Sequence, residues 1–235
     1  ANFEQITFGA SVSETIRIGT DAGDSTTASH GTFVGNIAGY NMNGTNTNAT
    51  AVGYNAFNDT DGDMSSSSAF GNSAGYASAE SSDALFLGPS AGQSASGWNN
   101  GIMIGNAAAK SSVLCNYGIA MGYQAAFQGS GNDYVTSIGY QAGYNRIDSD
   151  RSVDIGWRAG YGSDDGWTVN LGNEAGVFCV ASSNTNNIGT AAGRWTVDGI
   201  KYQHFGNSAA YQASGNAHGS FIGYQAGYQS SLLET

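Results

Sequence analysis

Fourteen times in 235 residues an apolar side chain stands immediately before a glycine, at a nearly constant interval, and this restricts what the chain can fold into more than any other property. The anchor glycines are Gly9, Gly19, Gly35, Gly53, Gly71, Gly88, Gly105, Gly122, Gly139, Gly156, Gly172, Gly189, Gly206 and Gly223. After a first step of 10 residues, every interval is 16, 17 or 18. The heptapeptide IGYQAGY occurs twice in identical form, at 138–144 and 222–228. Three residues after the anchor stands Ala in thirteen copies, with Val12 the exception, and the next position is Gly in nine. The residue before the anchor runs Phe8, Ile18, Val34, Val52, Phe70, Leu87, Ile104, Met121, Ile138, Ile155, Leu171, Ile188, Phe205 and Ile222. This column reads as core, and the Ala column reads as a second, narrow inward face. The following Gly marks a bend.

A period near 17 is too short for a helix pair, and no 3.6-residue apolar stripe is present. Between motifs the chain is rich in Asn, Ser, Gly and Asp, as in NMNGTNTNAT (41–50) and NDTDGDMSSSS (58–68), so these stretches read as turns. The expected fold is therefore all-β: a parallel β-solenoid, of β-roll or β-helix type, with about fourteen 17-residue coils in one repeat domain spanning 1–235. Stacking fourteen coils at about 4.8 Å would give a rod of roughly 65 Å.

Charge and composition exclude several partners. Seven Lys and Arg against 18 Asp and Glu leave a net charge of −11, which argues against nucleic acid and against an anionic membrane surface. No apolar run is long enough for a membrane span. The start ANFEQ has neither an initiator Met nor a secretion-signal pattern, and the chain reads as a piece of a longer fibre protein.

The segments FVGNIAGY (33–40), AVGYNAF (51–57), AMGYQAAF (120–127) and the repeated IGYQAGY resemble the glycine-rich repeats of bacteriophage tail fibres and bacterial surface fibre proteins, in which an endosialidase-type chaperone domain often follows. More distantly they are similar to the head β-rolls of trimeric autotransporter adhesins. The resemblance covers residues 6–228, and no chaperone domain is visible in SLLET (231–235). It implies a non-enzymatic structural filament, extracellular, on a cell surface or in a virion tail fibre. The thin Ala- and Gly-lined coil and its unpaired end strands predict a homo-oligomer, a trimer in first place, or end-to-end fibre contacts.

Aromatic residues are the candidates for ligand contact. Trp98, Tyr117, Tyr134, Trp167, Trp195 and Tyr202 depart from the repeat and are expected on variable loops touching a glycan or receptor. Tyr123, Tyr140 and Trp157, and likewise Phe127, Tyr144 and Tyr161, fall in register in successive coils and are expected to stack. Asp59, Asp61 and Asp63 alternate as in a calcium loop, but Phe70 stands where such a loop carries its bidentate Glu, leaving Ca²⁺ a weak candidate. Asp154, Asn170, Asn187 and His204 share one column and read as a solvated ladder, while Arg158 and Glu174 read as a surface ion pair. Further acid pairs stand at Asp148 with Asp150 and Asp164 with Asp165, and His30, His204 and His218 lack metal-ligand spacing. Cys115 and Cys179 differ in register and are expected as buried thiols rather than a disulfide. Ice binding and polysaccharide cleavage are the competing functions. Leu at Ala142 or Asp at Ile138 is expected to disrupt the interior, and changes at Trp98 or Trp195 to leave the fold intact.

Overall fold

The computed structural model describes residues 6–8, 15–26, 28–44, 46–113, 115–131, 133–147, 150–164, 166–180, 184–197, 201–214 and 219–230. The termini ANFEQ and SLLET, together with Gly9, Val12, Asp148, Asp165 and His218, lie outside them. The chain divides into two compact units, Ala1–Tyr117 and Gly118–Thr235.

Each unit is a parallel β-solenoid. The first carries β1 (Ile6–Phe8), β2 (Ile16–Ile18), β3 (Thr32–Val34), β4 (Thr50–Val52), β5 (Ser68–Phe70), β6 (Leu85–Leu87) and β7 (Ile102–Ile104). The second carries β8 (Ile119–Met121), β9 (Thr136–Ile138), β10 (Val153–Ile155), β11 (Val169–Leu171), β12 (Asn186–Ile188), β13 (Tyr202–Phe205) and β14 (Gly219–Ile222). Every strand ends on the residue before an anchor glycine, so the repeat spacing is the coil length. In-register parallel pairing follows, as in Val34 beside Val52 and Ile138 beside Ile155.

The first copy departs from this pattern. β1 pairs antiparallel with β2, Ile6 opposite Ile18. A parallel return needs a crossover of a dozen or more residues, and the interval from Gly9 to Gly19 is only 10, so the chain turns back as a hairpin. Thirteen strands, six in the first unit and seven in the second, therefore carry the parallel coil instead of fourteen.

After each strand from β2 on the backbone runs through an arc in which alternate residues have positive φ. In the coil of Gly139 these are Gly139 (136°), Gln141 (52°), Gly143 (61°) and Asn145 (52°). Single left-handed residues cost roughly 1–2 kcal/mol each outside Gly, and inter-coil hydrogen bonds offset that cost. The amides of Gly139, Gln141 and Asn145 donate to the preceding coil, at Met121, Tyr123 and Phe127 (2.8, 2.9 and 2.7 Å), while that of Gly143 donates to Ala159 of the following one (2.8 Å). Beyond the arc, short parallel bridges such as Ala79 to Ser96 and Val180 to Val197 form the opposite wall of the coil.

The Ala column is sealed inside, from Ala38 to Ala209. The column before the anchor is not. In the three-residue strands from β3 to β12 the middle residue is buried and both flanks face outward, so Ile155 is 39% and Leu87 42% exposed while Asp154 and Phe86 are buried. The expected core column is thus an outer one. The true inward partner is the residue two before the anchor, and it packs against the residue four after. A Cβ at Gly92 would strike the Phe86 ring, whereas the coil with Ala51 in the inward position carries Phe57 where Phe86's coil has Gly92. Phe57 then meets Phe86 edge to face at 5.2 Å. In these coils the large side chain comes from one side or the other.

Candidate binding surface

The two units fill their interiors with different chemistry. In the first, Phe33, Met42, Phe57, Met64, Phe86, Trp98 and Met103 join the alanines. In the second, the inward strand column turns polar: Ser137, Asp154, Asn170, Asn187 and His204 are all buried. The column expected as a solvated ladder is therefore an internal one. Asn170 Nδ2 donates to Asp154 Oδ1 (2.7 Å), Asn187 Nδ2 to Asn170 Oδ1 (2.7 Å), and His204 Nδ1 lies 2.6 Å from Asn187 Oδ1. With the Asn187 amide already donating, its oxygen accepts, which places the imidazole proton on Nδ1.

Every donor in this chain points toward the Asp154 carboxylate. Its second oxygen is met by the buried Arg146 guanidinium, which also donates to Ser152 Oγ (2.9 Å) and Thr168 Oγ1 (2.6 Å). Such a network is tolerated because its members partner one another. At the far end His204 Nε2 and the Tyr202 hydroxyl meet no partner among the described residues, and burial pushes the His204 pKa down to about 4. Sequence inspection places these residues in one column but not inside, since a polar column reads as a surface.

Outside, the aromatic ladders form as expected. Tyr123 and Tyr140 stack at 5.2 Å between ring centroids, and Tyr140 and Trp157 at 6.3 Å. Phe127, Tyr144 and Tyr161 stack at 5.0 and 4.8 Å. The Tyr144 hydroxyl is raised in pKa by burial, then by the neighbouring Tyr161 and Tyr123. Because each ring covers its neighbour's face, the ladders offer mainly edges to solvent, and a sugar ring stacks on faces. Arg158 lies over Tyr161 at 4.2 Å and pairs with Glu174 at 3.6 Å, the ion pair read from the sequence, and Glu174 is shared with Arg194.

The six residues expected to touch a ligand divide. Trp98 and Tyr202 are each 1% exposed and belong to the core, Trp98 donating from Nε1 to Ser112 Oγ at 2.8 Å. Neither presents a ring to the surface, and the expectation that Trp98 could be changed freely is corrected with it. Tyr117, Tyr134 and Trp167 are exposed, each five residues before an anchor and each with positive φ. Arg151 occupies the same position between Tyr134 and Trp167, its guanidinium 5.7 Å and 4.7 Å from their ring centroids. Beside it the Asp133 amide donates to Asp150 Oδ1 at 3.1 Å. Trp195 is half-buried against Arg194 (4.2 Å) and Tyr211 (5.3 Å). The structure thus assembles Tyr134, Arg151, Trp167 and the flanking carboxylates into one amphipathic outer patch in the second unit, whereas Tyr117 belongs to the first.

Asp59, Asp61 and Asp63 do not converge. Asp59 accepts from Asn41, Asp61 from the Gly62 amide and Asp63 from the Ser65 amide, and among the described residues no three His, Cys, Asp or Glu are placed to hold a metal ion. Cys115 and Cys179 are buried thiols, as expected. No helix among the described residues is long and apolar enough to cross a membrane. The outward column three before the anchor passes from Thr32, Thr50 and Ser68 to Leu85 and Ile102, so it is no regular array of small hydroxyls. The chain matches no family model, and a search of curated proteins finds no counterpart.

Proposed function

We propose that the chain is a non-enzymatic structural shaft of an extracellular, cell-surface or virion fibre, assembled as a homo-oligomer with a trimer in first place, and that its outer loops touch a surface glycan or receptor. One observation supports it above the others. At nearly every described anchor glycine, the space a Cβ would take is filled by the carbonyl of the next anchor glycine, as for Gly71 against Gly88 (2.7 Å) and Gly172 against Gly189 (2.6 Å). A fold that spends an invariant position on close stacking of one coil upon the next is organised for axial continuity. The loop contact is assigned to Tyr134, Arg151 and Trp167, which combine exposed aromatic area with a cation and neighbouring carboxylates.

Negative-stain electron microscopy of the purified chain and a glycan array test the two parts separately. Elongated particles support the shaft and compact ones contradict it. Binding that is lost in Trp167→Ala, with the circular dichroism spectrum retained, supports the loop contact. Binding indifferent to that change removes it.

A further inference from the structure

We infer that the outward face of the strands, the one carrying the residue before each anchor glycine, is an interface between copies of this chain. This rests on the shaft reading and names the surface by which shafts would join. The column is apolar in every copy of the repeat, yet the fold turns it out of the core: Phe70, Leu87, Met121 and Ile155 are between 36% and 42% exposed, and Val34, Val52, Ile104, Ile138, Leu171 and Ile188 are half-buried. Scattered apolar residues on a surface need no explanation, but an outward stripe repeated in successive rungs of one unit marks a contact surface.

Two features select a second copy as the occupant. The stripe repeats one apolar side chain per rung, at about 4.8 Å, and another copy of the same solenoid carries ridges and grooves at that spacing by construction. A globular partner has no such period. Charge points the same way. The chain carries a net −11, so two copies repel over most of their surfaces, but neither the column before the anchor nor the one three before it contains an Asp, Glu, Lys or Arg in any described strand from β2 to β14. The stripe is the place where identical acidic chains meet without like charges facing one another.

The test compares two side chains of equal exposure on different walls of the same unit. Ile155 lies on the strand face and Val197 on the bridge face, both 39% exposed. Sedimentation equilibrium of the wild-type chain at micromolar concentration is expected to give a dimer or trimer mass. Ile155→Asp should reduce it to the monomer with its circular dichroism spectrum kept, and Val197→Asp should leave it unchanged. A second pair guards against misfolding: Ile155→Cys should form an intermolecular disulfide on mild oxidation, and Val197→Cys should not. A monomeric wild type, an oligomer insensitive to Ile155→Asp, or equal cross-linking at both positions overturns the inference. Sedimentation velocity separates the two readings, because a monomer with a high frictional ratio removes the interface and leaves the shaft, while a compact particle removes the shaft.

Discussion

Replacing Gly172 by Ala isolates the contact on which the stacking depends, because the last anchor in the same unit supplies a built-in control. Gly172 has φ 136° and Gly223 has φ 124°, backbone that side-chain-bearing residues rarely adopt, so Ala at either position costs about 1–3 kcal/mol in strain. The surroundings differ. A Cβ on Gly172 would stand 2.6 Å from the Gly189 carbonyl oxygen, whereas nothing lies within 4 Å of one on Gly223. Ordinary contact begins near 3.4 Å, so Gly172→Ala must push neighbouring coils apart by most of an ångström. The inter-coil bonds from Gly189 N to Leu171 O (2.8 Å) and from Ala191 N to Asn173 O (2.8 Å) are the first to lengthen. Each is worth about 1 kcal/mol net. Gly172→Ala is therefore expected to cost about 3–5 kcal/mol, and Gly223→Ala no more than the strain. Urea unfolding followed by circular dichroism at 218 nm, the usual β-sheet minimum at about that wavelength, reads both as midpoint shifts. Equal shifts for the two variants would refute the claim that glycine is required by the coil above it, and would leave backbone conformation as the whole reason.

Other expectations follow from the interior. Asp154→Asn leaves the Arg146 guanidinium buried without its counter-charge and should cost about 3–5 kcal/mol in the same urea assay, while replacing both partners with Met and Leu should cost far less. His204 is held neutral in the fold, with its pKa lowered to about 4, and the unfolded chain takes up a proton near 6.5, so stability falls as pH drops from about 6.5 to 4, by about 3 kcal/mol in all. His204→Phe should remove that portion of the pH dependence in denaturation curves compared across the window, and an unchanged slope would contradict it. Ala51→Phe alone should overpack its coil by about 1–3 kcal/mol and Phe57→Gly alone should leave a void costing about 3–5 kcal/mol. The double variant should lose clearly less than the sum of the two, a favourable coupling that a double-mutant cycle measures directly. Trp98→Ala should destabilise by about 3–5 kcal/mol in thermal melts, whereas Ile138→Asp, at a half-buried outward position, should cost clearly less.

Much of this architecture is legible in the letters. The spacing of the anchors places each parallel strand, the alanines point inward as read, and the stacked rings of Tyr123, Tyr140 and Trp157 follow from register alone. The facing of the strands is not legible by hydrophobicity. A three-residue strand has one residue on one side and two on the other, and a slip of one position reverses them all. Here the more uniformly apolar column, ending in Ile138 or Ile155, faces out, and the mixed column of Phe33, Ala51, Asp154 and His204 faces in. The letters do hold a signal of the true orientation: Phe33 goes with Gly39, Phe86 with Gly92, and Ala51 with Phe57. Compensating volumes at two positions of one coil mean that both side chains share one enclosed space, which residues on an open face have no need to do.

The same reasoning explains why a polar interior and an apolar exterior coexist in the second unit. Inside a stacked coil every side chain has a neighbour of its own column directly above and below, so an amide at Asn170 finds its acceptor at Asp154 and its donor at Asn187 without help from the rest of the fold. Stacking satisfies hydrogen bonds column by column, which lifts the usual penalty on burying polar groups. Outside, no such constraint makes the column before the anchor apolar. Isoleucine at 138 and 188 is only half-buried and at 155 and 222 exposed, and the repeat keeps an apolar residue at this outward position all the same. Burial against another copy, as proposed above, would supply further hydrophobic free energy to a unit whose own interior is largely alanine and hydrogen-bonded amides.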